Sequence, residues 1–360
     1  MQKHFLSLLA LLFCATFAWA ASVTPAAQIP SYYANIDNTS AGGLWNAVHT
    51  DAKKGYSSLS YKGLWSAYAT TDVYPGTTKI WDMYSNCTFT YSADQCGSYS
   101  GECDCYNREH SIPKSWFGGS EGTSTPGSDL FHIVPTDGYV NNQRSNWPFG
   151  EVSSATYTRD GSKLGTSKAV SVSKTMLGEG SVSKSCTVTV FEPQNQYKGD
   201  FARMYMGAMI RWAGDYQSFA SDKGKHMFSG TYTAAGNWGL TEYGLALLMK
   251  WHRQDPVSQK EIDRNNAVQG KQGNRNPFID YPYLAEYIWG EKAGQTVQLA
   301  QLMPSCDAEF VPGQSDGWRG GEQAVEDIES QQTARKVLID GQLYILVNDE
   351  MFTITGQRVK

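Results

Sequence analysis

The feature that most constrains this chain is a carboxylate beside an imidazole, Glu109 and His110, in a short segment that runs to Pro113. A second segment, 140–146 (Val-Asn-Asn-Gln-Arg-Ser-Asn), is rich in asparagine and opens a predicted helix. An imidazole can activate water, and a carboxylate and an asparagine oxygen are hard ligands suited to Mg²⁺. The combination predicts a one-metal site for phosphodiester hydrolysis.

The adjacency of Glu109 and His110 sets a condition on the local fold. Neighbouring side chains on a strand point to opposite faces. Both residues can therefore serve one site only if the strand ends or bends at this point. Pro113 predicts that it does.

The first twenty residues are predicted to be a secretory signal. Lys3 and His4 precede an apolar run at 6–17, and 18–20 (Ala-Trp-Ala) provides a small-x-small cleavage site. The run is too short for a comfortable membrane span, and no later segment is long and apolar enough. We therefore expect a soluble, exported, monomeric chain.

Cysteine usage agrees with export. Removal of the signal leaves an even number of cysteines, which favours disulfides in an exported protein but leaves the connectivity open. Cys103 and Cys105 could also form half of a zinc site, although no matching Cys/His pair follows at finger spacing. The remaining cysteines are Cys87, Cys96, Cys103, Cys105, Cys186 and Cys306.

The net charge of −5 is unevenly distributed. After residue 300, ten acidic residues oppose five basic ones, which accounts for the whole excess of negative charge. The rest of the chain is neutral overall. Any surface that binds nucleic acid must therefore be a local basic patch.

The order of patterns predicts a mixed α+β fold, with helices and small sheets. Residues 79–106 are predicted to form short strands and loops, and 186–190 a strand. Predicted helices lie at 43–49, 61–65, 199–213, 241–252 and 256–269. The predicted segments are a signal at 1–20, a loose leader at 21–30, a main domain at 31–306, an acidic Gly-rich linker at 307–335 and a small β tail at 336–360.

The chain resembles the bacterial endonuclease I family, which comprises sugar-nonspecific nucleases of the ββα-metal (His-Me finger) class. The resemblance extends from about Tyr32 to Gly290. It rests on several separate motifs in one order rather than on a single Glu-His pair. These motifs are 106–116, 128–150, 191–193 with 198–203, 255–258, 264–266 and 272–280.

The resemblance assigns roles to the conspicuous residues. It implies that His110 is the general base, taking a proton from the attacking water, and that Glu109 and Asn141 hold Mg²⁺, with Ca²⁺ or Mn²⁺ as substitutes. Asn142 and Asn146 are neighbours that could replace Asn141 as the ligand. Some relatives have Gly-Asp after the first Asn, where this chain has Asn-Gln at 142–143.

Arginines in these motifs are candidate phosphate clamps, because a guanidinium presents a planar fork of donors. The candidates are Arg144, Arg203 and Arg275, and the alternative for each is a structural ion pair, for example with Asp200 or Asp280.

Two further positions follow from the resemblance. Some relatives place a phosphate-contacting arginine between the His and Asn motifs, but this chain has only Lys114 from 111 to 143. Either Lys114 substitutes or an arginine arrives from elsewhere. His132 matches a family position and is expected to be structural. The resemblance also implies a Cys96–Cys105 disulfide.

The function implied is a secreted, metal-dependent endonuclease that cuts DNA and RNA with little sequence preference and leaves 5′-phosphate ends. One alternative is a non-catalytic extracellular protein that binds nucleic acid or glycan through its many Trp and Tyr residues. Another is a metal-dependent phosphodiesterase with non-nucleic substrates. The tail resembles C-terminal sorting segments of certain Gram-negative exported proteins, and the alternative is an accessory β-unit.

Overall fold

A computed structural model describes residues 23–123, 125–178, 180, 182–213, 222–319, 335–339, 342–347, 350–353 and 358–359. Contacts divide the chain into two units, Met1–Trp318 and Arg319–Lys360. The predicted signal at 1–20 lies outside the described residues. In the part of the chain that is described, no helix combines the length and apolarity needed to cross a membrane.

Helices supply most of the regular structure of the first unit, and each predicted helix is present. The helix predicted at 199–213 is observed at Lys198–Trp212, is buried along its whole length and packs against the helix that follows it along the chain. The helices are α1 (Ile29–Tyr32), α2 (Ala41–Lys53), α3 (Gly63–Thr71), α4 (Gly138–Arg144), α5 (Lys198–Trp212), α6 (Glu242–Gln254), α7 (Gln259–Gln272), α8 (Pro277–Asp280) and α9 (Leu284–Ile288).

Local capping explains where the later helices begin. The Thr241 hydroxyl accepts from the backbone N–H of Gly244 at 2.9 Å, ahead of α6. Ser258 and Glu261 form a reciprocal capping box that starts α7. Gly273 ends α7 with φ 85°, a left-handed conformation that favours glycine.

The strands form small antiparallel sheets, so the predicted mixed α+β class is confirmed. The strand predicted at 186–190 begins later, at Thr189. The strands of the first unit are β1 (Tyr106–His110), β2 (Ile133–Asp137), β3 (Val152–Arg159), β4 (Ser162–Ser167), β5 (Val170–Val172), β6 (Val182–Lys184) and β7 (Thr189–Glu192).

A hairpin followed by a helix carries the Glu-His pair and the asparagine-rich segment at 140–146: β1 pairs with β2, and α4 follows directly. The register sets Glu109 opposite Val134 and His110 opposite Ile133. Asp137 ends β2 and caps α4, because its Oδ1 accepts from the N–H of Tyr139 at 2.8 Å. This is the ββα order that the resemblance implied.

Two disulfides brace the approach to β1. Cys96–Cys105 is present as the resemblance implied, and Cys87–Cys103 lies beside it. The expectation that all six cysteines pair is not met, since Cys186 is buried and free and Cys306 is half-buried and free. The half zinc site considered for Cys103 and Cys105 is wrong, because both sulfurs are bonded to other cysteines.

The ends of the first unit pack more closely than the sequence suggested. In the described part of the predicted leader, Ile29 is buried and the Thr24 N–H donates to Gln269. Residues 307–318, predicted to be linker, also lie on this unit: Trp318 stacks on Tyr283 with ring centroids 4.8 Å apart. The first unit therefore runs to Trp318 rather than 306.

The second unit is a four-stranded antiparallel sheet in the order β11-β10-β9-β8. Strands were predicted in this region. Their bounds are β8 (Arg335–Ile339), β9 (Gln342–Val347), β10 (Glu350–Thr353) and β11 (Arg358–Val359).

Two truncations test whether the boundary between the units lies after Trp318. Deleting 320–360 should leave the melting temperature of the first unit unchanged, because the contacts of Trp318 remain. Deleting 313–360 should cost roughly 1–2 kcal/mol of unfolding free energy, because it removes the half-buried Trp318 ring and the Met303 N–H bond to Gly317 O at 2.7 Å. Thermal and urea unfolding measure both. Equal losses in the two variants would contradict this boundary.

Candidate active site

The side chains of β1 alternate between two environments. Asn107 and Glu109 face α4, where they contact Asn141 and Arg144. Arg108 and His110 project from the opposite face of the strand, and both contact Tyr61. The strand ends at His110, as Pro113 predicted. Glu109 therefore lies on the side of β1 that faces α4, the helix that carries Asn141, while His110 lies at the end of the strand on its other face.

Glu109 is a buried carboxylate, 2% exposed. Its Oε1 accepts from Arg144 Nη1 at 2.6 Å and from the Tyr84 hydroxyl at 2.7 Å. Burial raises the pKa of Glu109, while Arg144 and Tyr84 act in the opposite direction. Because both bonds fall on Oε1, they fix the carboxylate and leave Oε2 out of these contacts.

Arg144 is 1% exposed and holds the end of β1 together. Its Nη1 also donates to the carbonyl of His110 at 2.9 Å, and its Nη2 donates to the carbonyl of Ser111 at 2.6 Å. The guanidinium thus ties the catalytic-looking strand end to α4. These contacts favour the structural ion pair that was the alternative to a phosphate clamp.

Asn141 lies half-buried in α4. Its Nδ2 donates to Asn107 Oδ1 at 2.7 Å, which turns the amide oxygen of Asn141 away from Asn107. Its two possible substitutes are less suitably placed. Asn142 is exposed, and Asn146 Oδ1 accepts from Lys223 Nζ at 2.6 Å.

His110 is 6% exposed, and its Nε2 lies 3.2 Å from the carbonyl of Gly127. If Nε2 carries the ring proton and donates it to that carbonyl, Nδ1 keeps its lone pair. Burial, more than any other cause, holds the pKa of His110 well below its usual range, and the nearby His132, Lys114 and Arg108 act in the same direction. The lowered pKa favours the neutral ring.

His132 is fully buried beside His110, with ring centroids 6.0 Å apart. Its Nε2 lies 2.6 Å from the carbonyl of Pro126, the residue before Gly127. One 3-10 turn, Pro126–Ser128, therefore fixes both imidazoles. Burial lowers the pKa of His132, which favours its neutral form.

The other two candidate clamps are also in buried ion pairs. Arg203 is fully buried, and its Nε and Nη2 donate to the two oxygens of Glu261 at 2.6 and 2.8 Å. Arg275 Nε and Nη2 donate to Asp280 at 2.7 Å each. Of the two carboxylates suggested as ion-pair partners for these arginines, Asp280 pairs with Arg275, while Asp200 pairs with Lys260.

The sequence left several site neighbours unidentified. Tyr84 bonds Glu109, and Asn107 bonds Asn141, while Arg108 and Tyr61 lie on the His110 face. The alternation of side chains along β1 could have identified two of these neighbours. Asn107 lies on the same face of the strand as Glu109, and Arg108 lies on the same face as His110. Tyr84 had no such signal, because it lies on a loop far away in the chain.

The donors at this junction fit a hard divalent cation. A carboxylate and an amide oxygen are the types of ligand that Mg²⁺ takes, with water and substrate completing its shell. Among the described residues, Cys87, Cys103 and Asp137 also lie close enough together to be considered as metal ligands. That cluster is not a ligand set, because its two sulfurs form a disulfide.

Sequence similarity to known proteins identifies the family of this chain. Residues 41–283 match the family described as Endonuclease I. The chain is 30% identical over 276 residues to the extracellular ribonuclease of Bacillus amyloliquefaciens, and 31% identical over 278 residues to that of Bacillus subtilis strain 168. Each alignment covers 75% of this chain and 82% of the relative. With a hairpin and helix in the expected order, and a family match over most of its length, this chain belongs to the endonuclease I family and is a nucleic-acid-hydrolysing enzyme.

Proposed function

We propose that the protein is a secreted, metal-dependent endonuclease that hydrolyses DNA and RNA with little sequence preference and leaves 5′-phosphate ends. The proposal is supported by the ββα unit, in which β1 ends with Glu109 and His110 and packs against α4, the helix that carries Asn141. Two relatives are named extracellular ribonucleases, which supports both export and RNA as a substrate. The two disulfides are consistent with an oxidising compartment.

In this proposal Glu109 and Asn141 hold the metal. When bound, Mg²⁺, or Ca²⁺ or Mn²⁺ in its place, neutralises the phosphate and stabilises the leaving 3′-oxygen. Arg144 and Tyr84 fix the carboxylate of Glu109, and Asn107 turns the amide of Asn141. The chain thus pre-orders its ligands through contacts that exist without substrate.

His110 supplies the base. Its Nδ1 takes the proton of the attacking water while Nε2 stays bonded to the Gly127 carbonyl, so the imidazole does not rotate as it becomes charged. A ring that is neutral at working pH is ready for this step. We expect the enzyme to contact the sugar-phosphate backbone of its substrate. Such contacts carry no information about the bases, so sequence preference should be low.

The experiment is a plasmid-nicking assay run beside an RNA-cleavage assay. EDTA should abolish both activities, and added Mg²⁺ should restore them. End-labelling of the products should find 5′-phosphates. Full activity after exhaustive chelation would refute a metal-dependent mechanism, and inactivity on both polymers would refute a nuclease of this specificity.

A matched pair of variants tests the amide ligand. Asn141→Ala should weaken metal affinity, so that higher Mg²⁺ concentrations partly restore activity, since one ligand oxygen is lost. Asn142→Ala should change neither quantity, because Asn142 is exposed on the same helix. Calorimetry gives the metal affinity and nicking gives the activity. If Asn141→Ala loses activity while its metal affinity equals that of wild type, Asn141 is not a ligand.

A further inference from the structure

Arg108 differs in its partners from several buried arginines of the chain. Arg144, Arg264 and Arg275 each pair with a carboxylate, namely Glu109, Asp72 and Asp280. Arg108 has no carboxylate partner among the residues that the structure describes. Its positive charge is therefore not neutralised within this part of the protein.

Two aromatic rings hold the Arg108 side chain instead. The guanidinium carbon lies 3.6 Å from the ring centroid of Tyr61 and 4.5 Å from that of Trp65. One nitrogen, Nη1, donates to the backbone carbonyl of Tyr61 at 2.7 Å. Aromatic faces orient a planar cation without cancelling its charge, and a guanidinium has further N–H groups to donate.

The position of Arg108 relates it to the general base. It precedes His110 by two residues on β1, so both side chains leave the strand on the same face. Tyr61 contacts both: its ring stacks on His110 with centroids 5.8 Å apart and an interplanar angle of 27°. Arg108, Tyr61 and Trp65 are each half-buried, so solvent reaches the cluster.

Lys114 lies at the same cluster, with Nζ 5.0 Å from the centroid of the Tyr61 ring. It differs from Arg108 in that it forms an ion pair with Glu121. Of Arg108 and Lys114, Arg108 is the one without a carboxylate partner among the described residues, so its charge is available to an incoming anion. The local positive charge also contrasts with the net charge of −5 of the whole chain.

We propose that Arg108, held between Tyr61 and Trp65, binds a backbone phosphate of the nucleic-acid substrate beside the bond at which His110 acts. The inference rests on the proposed function. It places the phosphate contact on the base-bearing face of β1, whereas Arg144, Arg203 and Arg275 are engaged in buried ion pairs. Tyr61 and Trp65 act as positioning residues that keep the guanidinium directed towards the substrate.

Binding without cleavage tests this directly. A fluorescein-labelled single-stranded oligonucleotide in EDTA is titrated with protein over a series of salt concentrations, and anisotropy gives the affinity. Arg108→Gln keeps a planar group with N–H donors but is shorter and uncharged, so affinity at low salt should fall roughly tenfold. The slope of log affinity against log salt should become shallower by about 0.7, the share of one phosphate contact on a single strand.

Two further variants make the result specific. Lys62→Gln removes one charge from an exposed side chain next to Tyr61 and should leave affinity and slope close to wild type. Arg108→Lys keeps the charge and loses the planar fork, so it should keep the wild-type slope and bind several-fold more weakly. Circular dichroism checks that each variant folds. If Arg108→Gln does not fold, the affinity of Arg108→Lys tests the phosphate role.

The outcomes separate this inference from the function on which it rests. Wild-type affinity and slope in both Arg108 variants, or equal losses in Arg108→Gln and Lys62→Gln, would overturn the phosphate role. The same wild-type preparation is assayed for cleavage in Mg²⁺. Failure of the wild-type protein to cleave would overturn the proposed function. If the wild-type protein cleaves and the Arg108 variants bind the oligonucleotide as tightly as wild type, only this inference is overturned.

Discussion

His110→Ala should retain the fold and lose about 10²–10⁴-fold of the nuclease activity, which is the usual contribution of a positioned general base. The ring makes its polar contact through Nε2 to a backbone carbonyl, and Nδ1 remains for the proton of water. Loss of the imidazole removes the base but leaves Glu109 and Asn141 in place. Metal affinity should therefore stay near that of wild type.

The control for this variant is His226→Ala. His226 is half-buried on a separate 3-10 turn, and a role for its imidazole at the site is not expected. Initial rates of plasmid nicking at saturating Mg²⁺ compare the two variants, and thermal unfolding checks their stability. Nicking by His110→Ala within about threefold of the wild-type rate would rule out His110 as the base.

Local signals in the sequence predicted local structure well. The helix predicted at 256–269 is present as α7, and Ser258 and Glu261 form a capping box at its start. The end of β1 at His110 followed from Pro113. Such features depend on residues a few positions apart, so they can be read without knowledge of the fold.

Contacts between distant segments could not be predicted in the same way. Tyr84 bonds Glu109 across 25 positions, and Trp318 stacks on Tyr283 beyond the boundary expected at 306. The connectivity of the cysteines had the same difficulty, because pairing depends on which Cα atoms the fold brings within about 7 Å. The even number of cysteines predicted that all of them pair, but Cys186 and Cys306 are free.

The arginine candidates illustrate the limit most clearly. A guanidinium in a motif is equally suited to a phosphate and to a carboxylate, and only burial and partners distinguish the two. Arg144 meets Glu109 across 35 positions, with each side chain at most 3% exposed. The sequence did not identify Arg108 as a candidate phosphate contact. In the described part of the chain, however, it is the arginine beside His110 that has no carboxylate partner.

Arg144→Met should lower the free energy of unfolding by about 3–5 kcal/mol, because it leaves the carboxylate of Glu109 buried without its cation. Activity should fall as well, since the end of β1 loses its ties at His110 and Ser111. The double variant Glu109→Gln with Arg144→Met should lose less stability than the sum of the two single variants, because no unpaired charge remains.

Lys184→Met provides the comparison, since Lys184 and Glu242 form an exposed ion pair with side chains 46% and 51% accessible. That variant should lose no more than about 1 kcal/mol. Urea unfolding gives the stabilities, and oligonucleotide binding in EDTA gives the affinity for substrate. A folded Arg144→Met protein with wild-type stability and much weaker oligonucleotide binding would show that Arg144 contacts phosphate, and that its pairing with Glu109 yields to the substrate.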